Sequence, residues 1–531
     1  MPGAPAGGHR ARKCHLAEFR HFVRDAIGSA PGSGRTTGLR PRRLEIGPCR
    51  GKNMSGNKNV LIVDRTGRGH ALVELFLRTN PGASVHYVPG TGGMKDKRIT
   101  VRPDLSWSDV GQVAAYALSA GVDLALVSNP LALAAGQVDA LEAAGIPTLG
   151  PSKSVSRLET SKSFAKDICS RYGIRTAPYR VFGNKDEAAR YVEQKAGGCV
   201  VKADGLCGGA GSFVCRTPRE AMAAVELLMG KRIYAESGDT VVVEEIVSGV
   251  EVSIFLLLDG REIVMLPTAL DYKRTDDGNR GPNSGGMGSF SPHPLEGPAL
   301  TALVREQLID PLKTALGSEN LFYRGILYVG AILNEGQLTV LEFNARIGDP
   351  EAEVILPRIS SDFVTTCEDM LAGRLSEDSV RIEEMFCCDV VAVQGPTFRG
   401  GDDPSNVDWL PGYPFGEFGR GYQVRGVEDV DRGNCSVFIG ETADDDVLGL
   451  VTDGGRILHV VGIGGSKAAA IEAAYSNLEK ITFSGMRIRR DIGAVYVDET
   501  LVSEGELRER VFGPGSGLAT KIPVTETSCD E

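Results

Sequence analysis

The chain has 531 residues, too many for one hydrophobic core and enough for about three or four domains. Its composition, 42% apolar and 24% charged, is that of an ordinary globular protein, and a net charge of −11 argues against a surface that tracks nucleic acid. No apolar run reaches membrane-spanning length, and the eleven cysteines lack paired zinc spacing, so they read as reduced thiols of a cytoplasmic protein.

Residues 1–56 are rich in Arg, Gly and Pro, hold few acids and show no periodicity. They have the flavour of a transit peptide or of a translated leader before Met54, and are expected to form a disordered, dispensable extension. Order begins with a buried-strand pattern at residues 59–63, followed by a turn, Asp64-Arg65-Thr66-Gly67-Arg68-Gly69-His70, and a helix over 69–79. A strand-to-helix turn of this kind attracts phosphate, which makes Gly67, Arg68 and His70 candidate substrate contacts. Strands at 84–88 and 123–127 and a crossover helix over 131–144 continue an α/β domain, expected to span residues 57–155.

The helix at 161–172 carries Lys162 and Lys166 one turn apart. A lysine within a strand, Lys202, then runs through Lys202-Ala203-Asp204-Gly205 into the glycine loop 207–212. Positive charge next to bare backbone N–H groups suits a nucleotide polyphosphate. The strand at 240–246 ends in Glu244-Glu245, placed to read an adenine edge, with Glu251 at a distance suited to a ribose. Residues 271–274 and 281–288 read as a long polar loop without regular structure, and a loop that long inside a compact domain is usually functional. An amphipathic helix at 298–316 leads to a hairpin whose second strand, 338–343, should put Glu342 and Asn344 on one face, their Cα atoms roughly 6–7 Å apart, and Leu341 with Phe343 on the other. Both outward residues offer oxygen ligands of the kind Mg²⁺ takes beside nucleotide phosphates. Arg346 and Asp349 follow on a Gly-Asp-Pro turn, where an anion could be gripped. Beyond residue 386 short strands and one helix, 466–481, precede Arg489 and Arg490, whose pairing beside Asp491 suits a phosphate. The tail after Ser503 reads as disordered.

Five segments in this order resemble the ATP-grasp ligases, and among them the glycinamide ribonucleotide synthetases: residues 202–205, 271–274, 281–288, 342–351 and 489–493. The resemblance implies a multidomain α/β protein, with an ATP-grasp domain at 156–385 whose lid spans about 176–240, a β-rich C-terminal lobe at 386–502 and a tail at 503–531. It implies an ATP-dependent carboxylate–amine ligase that joins glycine to phosphoribosylamine through an acyl phosphate, with ATP and Mg²⁺ (or Mn²⁺) as cofactors. The partners implied are small molecules, with no nucleic acid or membrane, on a monomer or weak homo-oligomer. By the same resemblance Glu342 and Asn344 hold the metal, while Lys162, Lys202, Gly205, Glu244, Glu245 and Glu251 contact ATP. Asp271, Lys273, Asn283, Arg346 and Asp349 match the region holding glycine and the acyl phosphate, Arg346 stabilising developing negative charge. Gly67, Arg68, His70, Arg489 and Arg490 match the phosphoribosylamine side.

Three departures from the family pattern stand out, two on the amine side and one near the ATP phosphates. The family's first turn, Gly-Asn-Gly-Gly-Arg-Glu-His, is here residues 64–70, with Asp64 for a glycine and Gly69 for the glutamate. Its Gly-Pro-Glu is Ser128-Asn129-Pro130, and its loop lysine is Ala210. A site that loses its sugar-binding acceptors discriminates differently, so the alternatives are a paralogous ligase for another amine and a nucleotide-binding regulatory protein.

Overall fold

The computed structural model describes residues 58–399, 408–497 and 499–514, so the extension expected at 1–56 and the end of the tail lie outside the described residues. In the first domain β1 (Asn59–Asp64) is buried along nearly its whole length, as an apolar run requires in a sheet covered on both faces. It is followed by α1 (Gly67–Thr79), β2 (Ser84–Pro89), β3 (Ile99–Val101), α2 (Val110–Ser119) and β4 (Leu124–Val127). The crossover expected as one helix is two, α3 (Pro130–Ala135) and α4 (Gln137–Ala143), because Gly136 takes φ 93° and ends the first in the left-handed region. With β5 (Thr148–Leu149) the strands form a parallel sheet in the order β3-β2-β1-β4-β5. Strand order reverses at β1, so the carboxyl ends of β1 and β4 open a crevice, where Asp64 and Ser128 face each other.

Two short helices, α5 (Arg157–Thr160) and α6 (Lys162–Arg171), lead into a clamp of two antiparallel sheets. The smaller sheet contains β6 (Tyr179–Phe182), β7 (Cys199–Ala203), β8 (Ser212–Cys215) and β9 (Val241–Glu244), in the order β6-β9-β7-β8. Helices α7 (Lys185–Glu193) and α8 (Pro218–Val225) close a core of its own beneath it, and β9 carries it past residue 240, where the lid was expected to end. The larger sheet, order β11-β10-β16-β17, is built from β10 (Val250–Asp259), β11 (Ile263–Met265), β16 (Arg324–Asn334) and β17 (Gln337–Asn344). The β16–β17 turn is Glu335-Gly336, with φ 46° and 70°, the left-handed pair a two-residue hairpin prefers. A bulge pairs Gly330 with Glu342 but Ala331 with Val340, so Leu341 is the extra residue. Leu341 is only half-buried, whereas Phe343 packs inward, so the expected pairing of the two on one face does not hold.

The stretch expected to lack regular structure instead carries β12 (Leu270–Asp271), a ribbon of β13 (Arg274–Asp276) and β14 (Arg280–Asn283), and β15 (Gly288–Ser291). Gly278 and Asn279, at φ 72° and 56°, make the ribbon's turn. After the 298–318 helical segment, β16 and β17 come α9 (Ala352–Ile355), α10 (Phe363–Ala372) and β18 (Phe386–Gln394). Strands β12 and β15 do not stay with the clamp: they join β18 in a sheet with three later strands, Cys435–Ile439, Arg456–Gly464 and the short Met486–Arg487. That sheet therefore crosses residue 385, and its last long strand, Arg456–Gly464, packs under α11 (Lys467–Leu478). The tail expected to be disordered begins with a helix, α12 (Glu504–Phe512), started by a Ser503–Glu506 capping box and anchored by buried Leu507 and Val511.

Candidate active site

The clamp brings its cations to one place. Lys202 on β7 reaches across to the larger sheet, its Nζ 3.4 Å from the Leu341 carbonyl. Glu244, 2% exposed, lies between two ammonium groups, Lys202 at 3.0 Å and Lys166 at 3.2 Å. Its carboxylate is thus a buried counter-ion and not a free acceptor for an adenine edge. Glu245 points to solvent beside Lys195 at 3.3 Å, and its N–H donates to the Pro178 carbonyl. Lys166 went unassigned in the sequence. Burial lowers its pKa while Glu244 opposes the shift. Lys162 donates to the Gly205 carbonyl at 3.1 Å, and Asp204 accepts the Ser163 N–H at the start of α6, which ties the Lys-Ala-Asp-Gly segment to that helix.

Opposite these lysines, Glu342 and Asn344 occupy the end of β17, half-buried and without a side-chain hydrogen bond among the described residues. Burial would raise the Glu342 carboxyl, but Lys273, Lys202, Lys162 and Arg346 hold it below the usual range. An ionised carboxylate beside an amide oxygen fits a hard divalent cation, and four nearby cations fit a polyphosphate. Arg346 is held by a residue that no motif singles out: Glu159 on α5, whose Oε1 lies 3.0 Å from Nη2 and whose Oε2 accepts the Ala345 N–H at 2.9 Å. The Arg346 Nε is a buried donor without a partner among the described residues. Lys273 pairs with Glu251 at 3.1 Å and stands 4.0 Å from Asp271. Burial opposes the Lys273 charge, but Glu251, Tyr328, Asp271 and Glu342 outweigh it; burial and then Glu351 push the Asp271 carboxyl well up. Asn283 sits across from Arg274 in the ribbon, and the next residue, Ser284, bonds back to the Lys273 carbonyl.

The amine side differs most from expectation. Asp64 accepts from the Arg65 and Thr66 N–H groups, the Thr66 hydroxyl, the Ser128 hydroxyl at 2.6 Å and Arg68 Nε at 2.9 Å. Two of the departures from the family pattern thus satisfy each other. Gly69 leaves the room in which the Tyr87 hydroxyl reaches the Thr66 carbonyl. Arg68, 4% exposed, is spent on Asp64 in a two-pronged pair, also facing Asp349 and Glu353. His70 Nδ1 accepts the Ile439 N–H at 2.8 Å, so it joins the first domain to the C-terminal sheet instead of pointing to a substrate. Arg489 is fully buried: Nε and Nη2 bind Asp491 at 2.8 Å and Nη1 binds the Arg274 carbonyl. Its expected role as a phosphate grip gives way to that of an internal clamp, and Arg490, exposed, is the arginine of the pair left facing solvent. Gly67 abuts Glu353 and His459, while Asp349 is held well below the usual range by Arg456, His459 and Arg68 against the opposing effect of burial.

Three matches to described families cover this architecture in order: phosphoribosylglycinamide synthetase N domain at 58–159, ATP-grasp (A) domain at 160–352 and C domain at 410–495. A phosphoribosylamine–glycine ligase of Caldanaerobacter subterraneus is 36% identical over 437 residues, covering 82% of this chain and all of the relative. One from Ralstonia nicotianae is 35% identical over 436 residues, 82% of this chain and 98% of its own. The crystal structure of phosphoribosylamine–glycine ligase from Thermotoga maritima matches with TM-score 0.68 and 32% identity over 82% of this chain and 99% of that one. A biotin carboxylase from Campylobacter jejuni shares the fold alone, at TM-score 0.58 and 14% identity over 81% of this chain and 93% of that one.

Proposed function

The chain belongs to the phosphoribosylglycinamide synthetase family and carries out the ATP-dependent ligation of glycine to phosphoribosylamine, and we propose that it does so through an acyl phosphate formed in the clamp. The observation that carries this reading is the opposed arrangement of Glu342 and Asn344 against Lys162, Lys202, Lys273 and Arg346. Glu342 and Asn344 would hold the divalent cation, Mg²⁺ or Mn²⁺, which when bound offsets polyphosphate charge. Lys162 and Lys202 add positive charge at the phosphates, and Gly205 keeps the loop close to them. Glu244 pairs with Lys202 and Lys166 and holds both in place. Glu251, paired with Lys273, stands at the ribose end of the nucleotide site.

Glycine's carboxylate is the nucleophile toward the γ-phosphoryl group, and positioning is most of the chemistry. Lys273 and Arg346 orient that carboxylate, and the Arg346 guanidinium takes up charge on the acyl phosphate. Asp271, whose carboxyl burial and Glu351 push up, stands 4.0 Å from Lys273, and Asn283 on the ribbon completes the glycine side. The amine then displaces phosphate at the carbonyl carbon, and Arg490 and Asp349 lie on its side. Identity to the ligases along all three domains supports phosphoribosylamine over another amine. A monomer or weak homo-oligomer without nucleic-acid or membrane partners, working in the cytoplasm, belongs to the same proposal; among the described residues no helix is long and apolar enough to cross a membrane. ADP release from pure protein with ATP, Mg²⁺ and glycine tests the whole reading. Release that requires phosphoribosylamine is expected, and release driven instead by another amine from a panel overturns the acceptor.

A further inference from the structure

Where the Gly-Asp-Pro turn meets the C-terminal sheet, three side chains converge: Asp349, Glu353 on α9, and His459 on the strand Arg456–Gly464. They are 8%, 0% and 1% exposed. One ligand-type atom from each lies within 4.8 Å of the other two. Among the described residues, neither oxygen of Glu353 has a hydrogen-bond partner, nor has His459 Nε2. Leaving a carboxylate so deep without a donor is costly unless something else takes its lone pairs. Meanwhile Asp389 Oδ2 sits 2.8 Å from His459 Nδ1, which fixes the ring and presents Nε2 to Asp349 at 3.7 Å.

The charges around the cluster are countable. Arg456 Nη1 is 2.7 Å from Asp349 Oδ1, but its hydrogens go to the Gly285 and Asp349 carbonyls, so it approaches the carboxylate off the bonding direction. Glu441 lies behind Arg456 and accepts main-chain N–H groups of Gly455 and Arg456. On the α1 side Arg68 is already paired with Asp64. Of Asp349, Glu353 and Asp389, therefore, one is matched by Arg456 and two are not. An imidazolium at His459 offsets one of these charges. A divalent cation offsets both and also fills the lone pairs left over.

We propose that Asp349, Glu353 and His459 bind a first-row divalent cation of the zinc class, at a site separate from the cation held by Glu342 and Asn344. One imidazole and two carboxylates with a fourth position for water is a zinc-type donor set, and Asp389 is the outer carboxylate that orients a ligating histidine. Metal–ligand bonds of about 2.0–2.2 Å set tetrahedral donors about 3.3 Å apart, so the side chains close by about 1–1.5 Å on binding. The ion joins the turn after β17 to the C-terminal sheet. Because Gly67 packs directly against His459 and Glu353, it fixes the start of α1 as well.

The test uses the full chain, stripped with a chelator and dialysed without nucleotide against submicromolar Zn²⁺, with bound metal measured by mass spectrometry. One Zn²⁺ per chain is expected, retained in Glu342→Ala and lost in Glu353→Gln and His459→Gln, with Asp389→Asn binding about 10–100-fold more weakly. No bound metal in the wild type, with a Tm indifferent to Zn²⁺ and chelator, overturns the proposal in favour of a proton-bridged network. Retention in both ligand variants overturns it too. Should those variants fail to fold, Co²⁺ loaded into the wild type decides: a tetrahedral visible spectrum without thiolate charge transfer supports the site, and a thiolate band refutes it.

Discussion

Glu159 and Arg346 stand 3.0 Å apart across the junction of the first domain and the clamp, and the same carboxylate also holds the Ala345 N–H. The guanidinium proposed to face the reacting carboxylate is thus aimed by a residue outside the proposed substrate contacts. Glu159→Gln keeps the shape and one hydrogen bond but frees the arginine to turn. A misplacement of about 1 Å can cost about 10²-fold, so kcat is expected to fall by up to that factor while KM for ATP changes little. Steady-state kinetics decide: an unchanged kcat removes Glu159 from the positioning of Arg346.

Glu342→Ala deletes a carboxylate that four cations hold ionised. ATP turnover is expected to be lost while thermal unfolding stays close to wild type, because the side chain is half-buried and makes no hydrogen bond to the described residues. Turnover at the wild-type rate in an ADP-release assay would rule out the metal assignment.

Glu244→Gln leaves Lys166 and Lys202 buried at 4% and 7% exposure without their shared counter-ion. Removing one partner of a buried ionic group typically costs about 3–5 kcal/mol. Urea unfolding of the variant should show a loss of that order, concentrated in the clamp, together with weakened ATP binding. A stability equal to wild type would mean that water, or loss of a proton from Lys166, already relieves the buried charge.

What the sequence made legible was local. The strand carrying Glu342 and Asn344, the lysine strand before its glycine loop, and the parallel first domain each announce themselves by periodicity and turn residues within a few positions. Glu159, Lys166 and Asp389 act through partners far along the chain: Glu159 to Ala345 spans 186 residues, and no spacing rule reaches that far. His459 lies in an apolar run and Glu353 in a short helix, and neither pattern says which strand lies opposite. Arg68, His70 and Arg489 carried the right chemistry for a phosphate, yet Asp64, Ile439 and Asp491 occupy them. A sequence motif gives the donor and is silent on whether the donor is free. The 271–288 stretch looked irregular because its strands are two to four residues long, below the length at which alternation shows.

His293 supplies a pH dependence of known sign. The ring is 1% exposed; its Nε2–H donates to the Glu251 carbonyl at 3.0 Å and Nδ1 accepts the Leu295 N–H at 3.1 Å, so the fold uses the neutral form. Burial, then Arg508 and Lys467, push its pKa down to about 4 from an ordinary 6.5, the Glu251 hydrogen bond opposing. Between those values the unfolded chain binds the proton and the folded one does not, so stability rises with pH through this window and is lost as pH falls from 6.5 toward 4. The slope approaches about 1.4 kcal/mol per pH unit, or about 2 kcal/mol between neutral pH and pH 5. His293→Gln has no such proton to exclude. Unfolding free energies of the two proteins should therefore converge as the buffer is acidified from pH 7 to 5, and a difference that stays constant over that range would show that His293 is already protonated in the fold.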